Sequence, residues 1–220
     1  MTLAKDFQHL LAVVSEVGRL YEDLVYIGGI AVYLHAINQA ATMAYAEATN
    51  DADLYISVAE LSELREIEEL TQNHRLKKHE FQKGGFSFDV YAERQSSLPV
   101  PYDQVMAYAD EYDGIRVACI EHLLVLKLEA AADRHASEHG RKDAKDVIRL
   151  LLLAGQGAID AKRAVAYLHP RHFERLELIV NGPEFTSLAQ GNAKTAKTLR
   201  TTCRKSFAAV ARAYEGQGSR

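Results

Sequence analysis

The sequence predicts an α+β fold: a β-rich centre set between helices and followed by a further helical region. Three observations predict it. Apolar residues recur at helical spacing over the first twenty positions, strict two-residue alternation begins at Asp51, and three- and four-residue spacing returns from Ile120 onward. With 220 residues, 48% hydrophobic and 25% charged, and only 4 Pro, the composition excludes a disordered or low-complexity chain and suffices for a buried core. No apolar run approaches the ~18 residues needed to span a bilayer. Lys5, Asp6, Gln8 and His9 interrupt the stretch where a secretory leader would be continuously apolar, so a cytoplasmic location is expected. Cys119 and Cys203 lie far apart without CxxC spacing, which argues against a disulfide framework or thiolate zinc site.

The elements follow in order. Leu3, Phe7, Leu10, Leu11, Val14, Val17 and Tyr21 make one face of an amphipathic helix over 3–22. Leu24 to Ile27 is a short strand that turns at Gly28-Gly29 into a helix over 30–37. From Asp51, the residues Asp51, Asp53, Tyr55 and Ser57 alternate with Ala52, Leu54, Ile56 and Val58, the signature of a strand with one buried face. Glu60 to Thr71 reads as a charged helix. Arg75 to Phe81 and Phe86 to Ala92 read as a hairpin across Lys83-Gly84-Gly85, with Ser87, Asp89 and Tyr91 on one face of its second arm. Pro99 and Pro101 mark a loop, Ile115 to Ala118 a strand, and 120–136 and 142–153 two helices joined across Gly140. Gly155 and Gly157 close this body. Residues 161–168, 171–180 and 193–214 are helical in pattern.

Charge divides unevenly along the chain. The formal net charge is −4, yet residues 160–220 hold 11 Lys and Arg against 5 acids, leaving 15 against 25 in the first 159. Two domains are therefore expected: an α+β body over 1–157 and a basic helical region over 158–220. The asymmetry fits either a basic surface for phosphate-bearing partners or a basic tail docked on an acidic body.

Three acids carry the chemistry. On a strand, Asp51 and Asp53 point the same way with Cα atoms roughly 6.5–7 Å apart, and Asp89 sits on the polar face of a strand that could lie alongside. Clustered carboxylates repel unless a divalent cation neutralises them, and Mg²⁺ takes a few carboxylates together with water and phosphate oxygens. Phosphoryl or nucleotidyl transfer is the natural use. Gly28-Gly29 fits the same chemistry, because a turn without Cβ atoms at the start of a helix admits an anionic phosphate; it could equally be a plain strand-to-helix turn. His135 and His139 have metal-compatible spacing but no evident third ligand. Tyr102, Tyr108 and Tyr112 could stack on a base or simply pack.

The run Tyr26-Ile27-Gly28-Gly29, then Thr49-Asn50-Asp51-Ala52-Asp53, then Phe88-Asp89-Val90, resembles the ordered motifs of the nucleotidyltransferase superfamily with the DNA polymerase β-like fold. The block Glu121-His122-Leu123-Leu124 to Lys127, then Arg134, then Lys142-Asp143-x-x-Asp146, is similar to AbiEii-like abortive-infection and toxin-type members. The resemblance spans about residues 24–153 and leaves the basic tail unmatched. It implies a mixed β-sheet core flanked by helices, with Asp51, Asp53 and Asp89 as metal-holding catalytic acids and Asp89 activating the acceptor hydroxyl. Gly28 and Gly29 would receive the nucleotide phosphates, and Thr49 would orient the motif strand. Lys127, Arg134 and Lys142 would serve nucleotide binding, supported by Asp143 and Asp146. Asp143 and Asp146, three apart on one helix face, could alternatively be a salt bridge that fixes Lys127 or Arg134. The sequence departs from the pattern at Glu47, where many relatives carry Arg two residues before the motif Thr.

The expected function is thus a Mg²⁺- or Mn²⁺-dependent enzyme that moves NMP from an NTP to an acceptor hydroxyl, possessed by an RNA or tRNA end, a protein or a small molecule. A toxin–antitoxin or phage-defence setting, with an antitoxin protein as partner, goes with the resemblance. Lys194, Lys197, Arg200, Arg204 and Lys205 recur at three- and four-residue steps and form the candidate RNA footprint. The alternative is a catalytically degenerate nucleotide-binding or partner-binding protein of the same fold. No membrane partner is expected.

Overall fold

The structure is a computed structural model that describes residues 2–216, with side chains described except at residues 2–5, 157 and 158. Leu3 and Lys5 of the N-terminal pattern and Arg220 of the basic tally fall outside that description. The chain forms two compact units, Met1–Leu34 with Glu47–Cys119, and His35–Ala46 with Ile120–Arg220. The basic helices belong to the unit made of His35–Ala46 and Ile120–Arg220, and the change in charge bias at 157/158 falls within its second segment.

The first unit opens with α1 (Thr2–Leu20), whose Phe7, Leu10, Val14 and Val17 are buried. Strand β1 (Leu24–Tyr26) leads into α2 (Gly29–Ile37), and β2 (Asp51–Ile56) into α3 (Val58–Ile67). Next come β3 (Thr71–Asn73), β4 (Lys78–Lys83), β5 (Phe86–Ala92), α4 (Tyr102–Ala107), β6 (Asp110–Tyr112) and β7 (Ile115–Val117). Among the described residues these seven strands make one mixed sheet in the order β3-β4-β5-β2-β1-β7-β6. The central pairs β2/β5 and β1/β7 are parallel, and β1/β2 and the outer pairs antiparallel.

Register decides which face does what. Tyr26 lies opposite Leu54, and Ala52 opposite Phe88, so these apolar residues share a face. Helix α1 covers it: the Tyr26 hydroxyl donates to the Val14 carbonyl at 2.8 Å, and His9 meets Phe86 edge-on at 5.3 Å. The opposite face carries Asp51, Asp53 and Tyr55 on β2 beside Ser87, Asp89 and Tyr91 on β5. Tyr102 of α4 closes its apolar end, edge-on to Tyr55 at 5.3 Å with its hydroxyl on the Asp23 carbonyl at 2.5 Å. The acidic end stays accessible, with Asp51 exposed and Asp53 and Asp89 half-buried.

The β4–β5 hairpin turns through Gly84-Gly85, both with positive φ (59° and 84°), and Lys83 pairs with Phe86. Two residues in the left-handed region suit a tight turn whose twist matches the flanking strands. Several details depart from the sequence reading. Ser57, expected on the strand, instead caps α3 by accepting from the Glu60 amide at 3.2 Å, so alternation stops at Ile56. Helix α3 ends at Ile67, freeing Thr71 for edge strand β3, and α4 and β6 lie within the stretch read as loop.

The second unit comprises α5 (Ile120–Asp133), α6 (Glu138–Leu153), a π-helical turn (Ala154–Ala158), α7 (Ala161–Val165), α8 (Pro170–Asn181), α9 (Glu184–Leu188) and α10 (Ala193–Glu215). The junction between α5 and α6 falls before Gly140, not at it. Ser137 caps α6 by accepting from the Gly140 amide at 3.1 Å, and a Cβ at Gly140 would come 2.8 Å from the Arg134 carbonyl carbon. Helix α10 is tied to α6 by Ser206, which donates to the Leu151 carbonyl at 2.8 Å, and by the Cys203 thiol on Ile148 at 3.7 Å. Cys119 and Cys203 are both buried thiols. Among the described residues no helix is long and apolar enough to cross a membrane.

Candidate active site

Strand β2 presents its two motif acids on one face because side chains alternate, and β5 runs parallel beside it with Asp89 as the direct partner of Asp53. The diglycine is built into the same corner. The Ile27 amide donates to the Asp53 carbonyl at 2.9 Å, and a Cβ at Gly28 would run into the Asp53 side chain, 2.5 Å from its Cγ. A Cβ at Gly29 would meet Thr49 at 3.1 Å, and the Thr49 hydroxyl donates to the Asp51 carboxylate. Each glycine therefore makes room for one arm of the acidic motif. Neither has the positive φ that a strained turn would demand, so close approach is the reason for glycine here. The amino end of α2 starts at this corner, where its unsatisfied amides favour negative charge.

Asp89 is held by a residue that sequence reasoning passed over. Lys78 of β4 places its ammonium 2.5 Å from Asp89 Oδ2 and 3.1 Å from Glu80 Oε1. Burial pushes the Asp89 carboxyl above its usual range despite the lysine's pull. Burial also works against the charge on Lys78, but Asp89 and Glu80 outweigh it and raise the ammonium's pKa. The signal for Lys78 lay in the hairpin: counting back from a two-residue turn pairs Glu80 with Asp89 and leaves Lys78 on the same face.

The donor set suits a divalent cation at Asp51 and Asp53. Mg²⁺ needs only one or two protein carboxylates when water and phosphate supply the rest. Among the described residues no group of three or more His, Cys, Asp and Glu side chains is placed to hold a metal ion, and the third acid, Asp89, carries the Lys78 ammonium. Glu47 is exposed on the segment leading to Thr49.

The second unit gathers Lys127, Asp143 and Asp146 into a buried ion cluster that the exposed Arg134 joins at its rim. Lys127 of α5 lies 3.4 Å from Asp143 and 2.8 Å from Asp146 of α6. Arg134 bonds Asp143 through Nε at 2.7 Å, and Arg149 joins Asp146 at 2.7 Å while donating to the Tyr45 carbonyl, also at 2.7 Å. Burial alone would raise the Asp146 carboxyl, but Lys127 and Arg149 hold it below the ordinary range. Lys142 is half-buried on α6. On α10, Lys194, Lys197, Arg204 and Lys205 are exposed, and Arg212 continues their stripe. Arg200 lies off it, donating to the Gly182 carbonyl at 2.9 Å with its guanidinium 5.1 Å from the Phe185 ring centre. His135 and His139 are exposed.

Comparison with known proteins agrees with this architecture. The chain is similar to the crystal structure of an antigenic nucleotidyltransferase-like protein from Paracoccidioides brasiliensis, with a TM-score of 0.50 and 17% identity over 84% of this chain and 93% of that one. JHP933 from Helicobacter pylori aligns at a TM-score of 0.49 and 13% identity over 100% of this chain and 97% of its own. No protein-family model and no curated protein matches the sequence. The fold is nucleotidyltransferase-like: a mixed sheet flanked by helices, with a C-terminal helical region.

Proposed function

We propose that the protein is a divalent-cation-dependent nucleotidyltransferase that moves NMP from an NTP to an acceptor hydroxyl. The observation that carries this reading is the Asp51–Asp53 pair on one strand face, packed against Gly28-Gly29 where α2 begins. In the reaction an acceptor oxygen bonds to the α-phosphorus, the α–β bridging P–O bond breaks, pyrophosphate leaves, and the hydroxyl proton passes to a base. A cation bound at the pair supplies charge stabilisation of the phosphates. Asp51 and Asp53 hold that cation, Thr49 orients Asp51, the start of α2 meets the phosphates, and Asp89 takes the proton. The exposed Lys194, Lys197, Arg204 and Lys205 of α10 favour RNA as the acceptor, because a basic helical stripe binds phosphate backbones irrespective of sequence.

Incubation with labelled NTPs, Mg²⁺ and RNA tests the proposal. Wild type should label the acceptor and release pyrophosphate, and Asp51→Asn or Asp53→Asn should lower the rate about 100-fold or more. Equal labelling by wild type and variants would reject it. Glu47 favours a second reading, a catalytically degenerate nucleotide-binding protein of this fold, since an acid near the phosphates opposes their charge. Calorimetry would then find nucleotide binding without pyrophosphate release.

A further inference from the structure

Helix α10 turns one charged face to solvent. At about 100° per residue, Lys194, Lys197, Arg204, Lys205 and Arg212 fall within roughly a third of its circumference, opposite the buried Ala196, Leu199, Cys203, Ser206 and Val210. Thr198 and Thr201 lie between the bases, their hydroxyls already donating to the Lys194 and Lys197 carbonyls at 3.1 and 2.9 Å. No Asp or Glu occurs between Glu184 and Glu215. Among the described residues no carboxylate pairs with any of the five bases. Arg204 donates to the neutral Asn181 amide oxygen at 2.6 Å.

Two features decide what such a face can grip. It carries no aromatic ring: Tyr214 packs on Phe173 with ring centres 4.4 Å apart, and Phe207 is half-buried off the stripe. Unpaired bases are held largely by stacking on exposed rings, so this face is left to phosphate. The helix is also flush with its neighbours, packed by α6, α7, α8 and α9, and does not protrude as a helix must to enter a B-form major groove. The wide, shallow minor groove of an A-form duplex lets a flush row of cations reach phosphates instead. From Lys194 to Arg212 that row is about 27 Å long.

We propose that this face binds the backbone of double-stranded RNA, so that the acceptor is an RNA with a base-paired stem. The choice of RNA rests on the function proposed above, and the preference for a duplex rests on the face itself.

Fluorescence anisotropy with a labelled RNA duplex, with either of its strands alone and with duplex DNA of the same sequence tests the proposal without any turnover. Duplex RNA should bind tightest, with log affinity falling against log salt at a slope of about −4, or about 250-fold between 50 and 200 mM salt. Lys197→Gln combined with Lys205→Gln should lessen that slope by about 2, and the corresponding arginine pair should preserve it. Arg19→Gln, at an exposed position of α1, should leave it unchanged. Equal or tighter binding of the single strands or of the DNA overturns the proposal, as does a slope indifferent to the glutamine pair. Duplex RNA binding without labelling in the assay above would reject nucleotidyl transfer and leave this face assigned. Labelling of RNA together with a preference for single strands would reject the duplex assignment alone.

Discussion

Gly28 and the Asp53 side chain compete for a space that admits one of them. Gly28→Ala should therefore displace Asp53, costing about 1–3 kcal/mol of stability as an overpacked site and, on the proposed function, most of the NMP transfer. Thermal melting beside the labelling assay would check it; an alanine variant with unchanged activity would show that Asp53 has room to move. A second residue-scale expectation concerns His122, fully buried and edge-on to Tyr167 with ring centres 5.8 Å apart. Burial, with help from Arg163 and against Glu121, pushes its pKa down to about 4 from 6.5. Above pH 6.5 the shift has no effect on folding. As pH falls from 6.5 toward 4 the unfolded chain takes up a proton that the native one refuses, so stability falls, by about 3 kcal/mol at most. Melting curves across that range should be flatter for His122→Asn than for wild type. The motif acids were legible in the sequence because a two-residue period is visible within six positions. Lys78 was not, because its meaning depends on a pairing between strands.

Among the elements, those with a sustained period or a short apolar run, such as β1 and β7, could be read, and short polar ones could not. β3 and β6 have three residues each and α9 five, too few for alternation or a helical face to stand out from a loop. The α5–α6 junction misled for a different reason: Gly140 resembles a helix breaker, yet it serves the third position of α6 by letting the Arg134 carbonyl approach. The true start is the Ser137 cap, and Ser137→Ala should cost about 1 kcal/mol. Urea denaturation would measure it, and an unchanged midpoint would mean that solvent replaces the cap. Arg200 shows the same limit on α10. Helical spacing put it with the basic stripe, whereas its contacts with Gly182 and Phe185 make it a packing residue of the second unit.

At the scale of the whole molecule, charge bias and compactness divide the chain at different places. Residues 120–153 carry acids and bases in balance with no basic surplus, so composition joins them to the body before them, while packing joins them to the helices after them. The ion cluster of Lys127, Arg134 and Arg149 with Asp143 and Asp146 helps to bind α5 to α6 there. Lys127→Met removes the cation that Asp143 and Asp146 share, leaving each with one arginine, and should destabilise the protein by about 1–3 kcal/mol. Pairing it with Asp146→Asn should recover part of that loss, as non-additivity in a melting-based cycle would show.

The Gly84-Gly85 bend has a consequence for how such a chain can vary. One residue added there would slide β4 by a single step and turn Lys78 and Glu80 over to the apolar side, burying their charge beside Phe88. Length is thus constrained at this bend as strictly as chemistry is at Asp53, whereas the exposed 74–77 segment one strand earlier can lengthen at little cost.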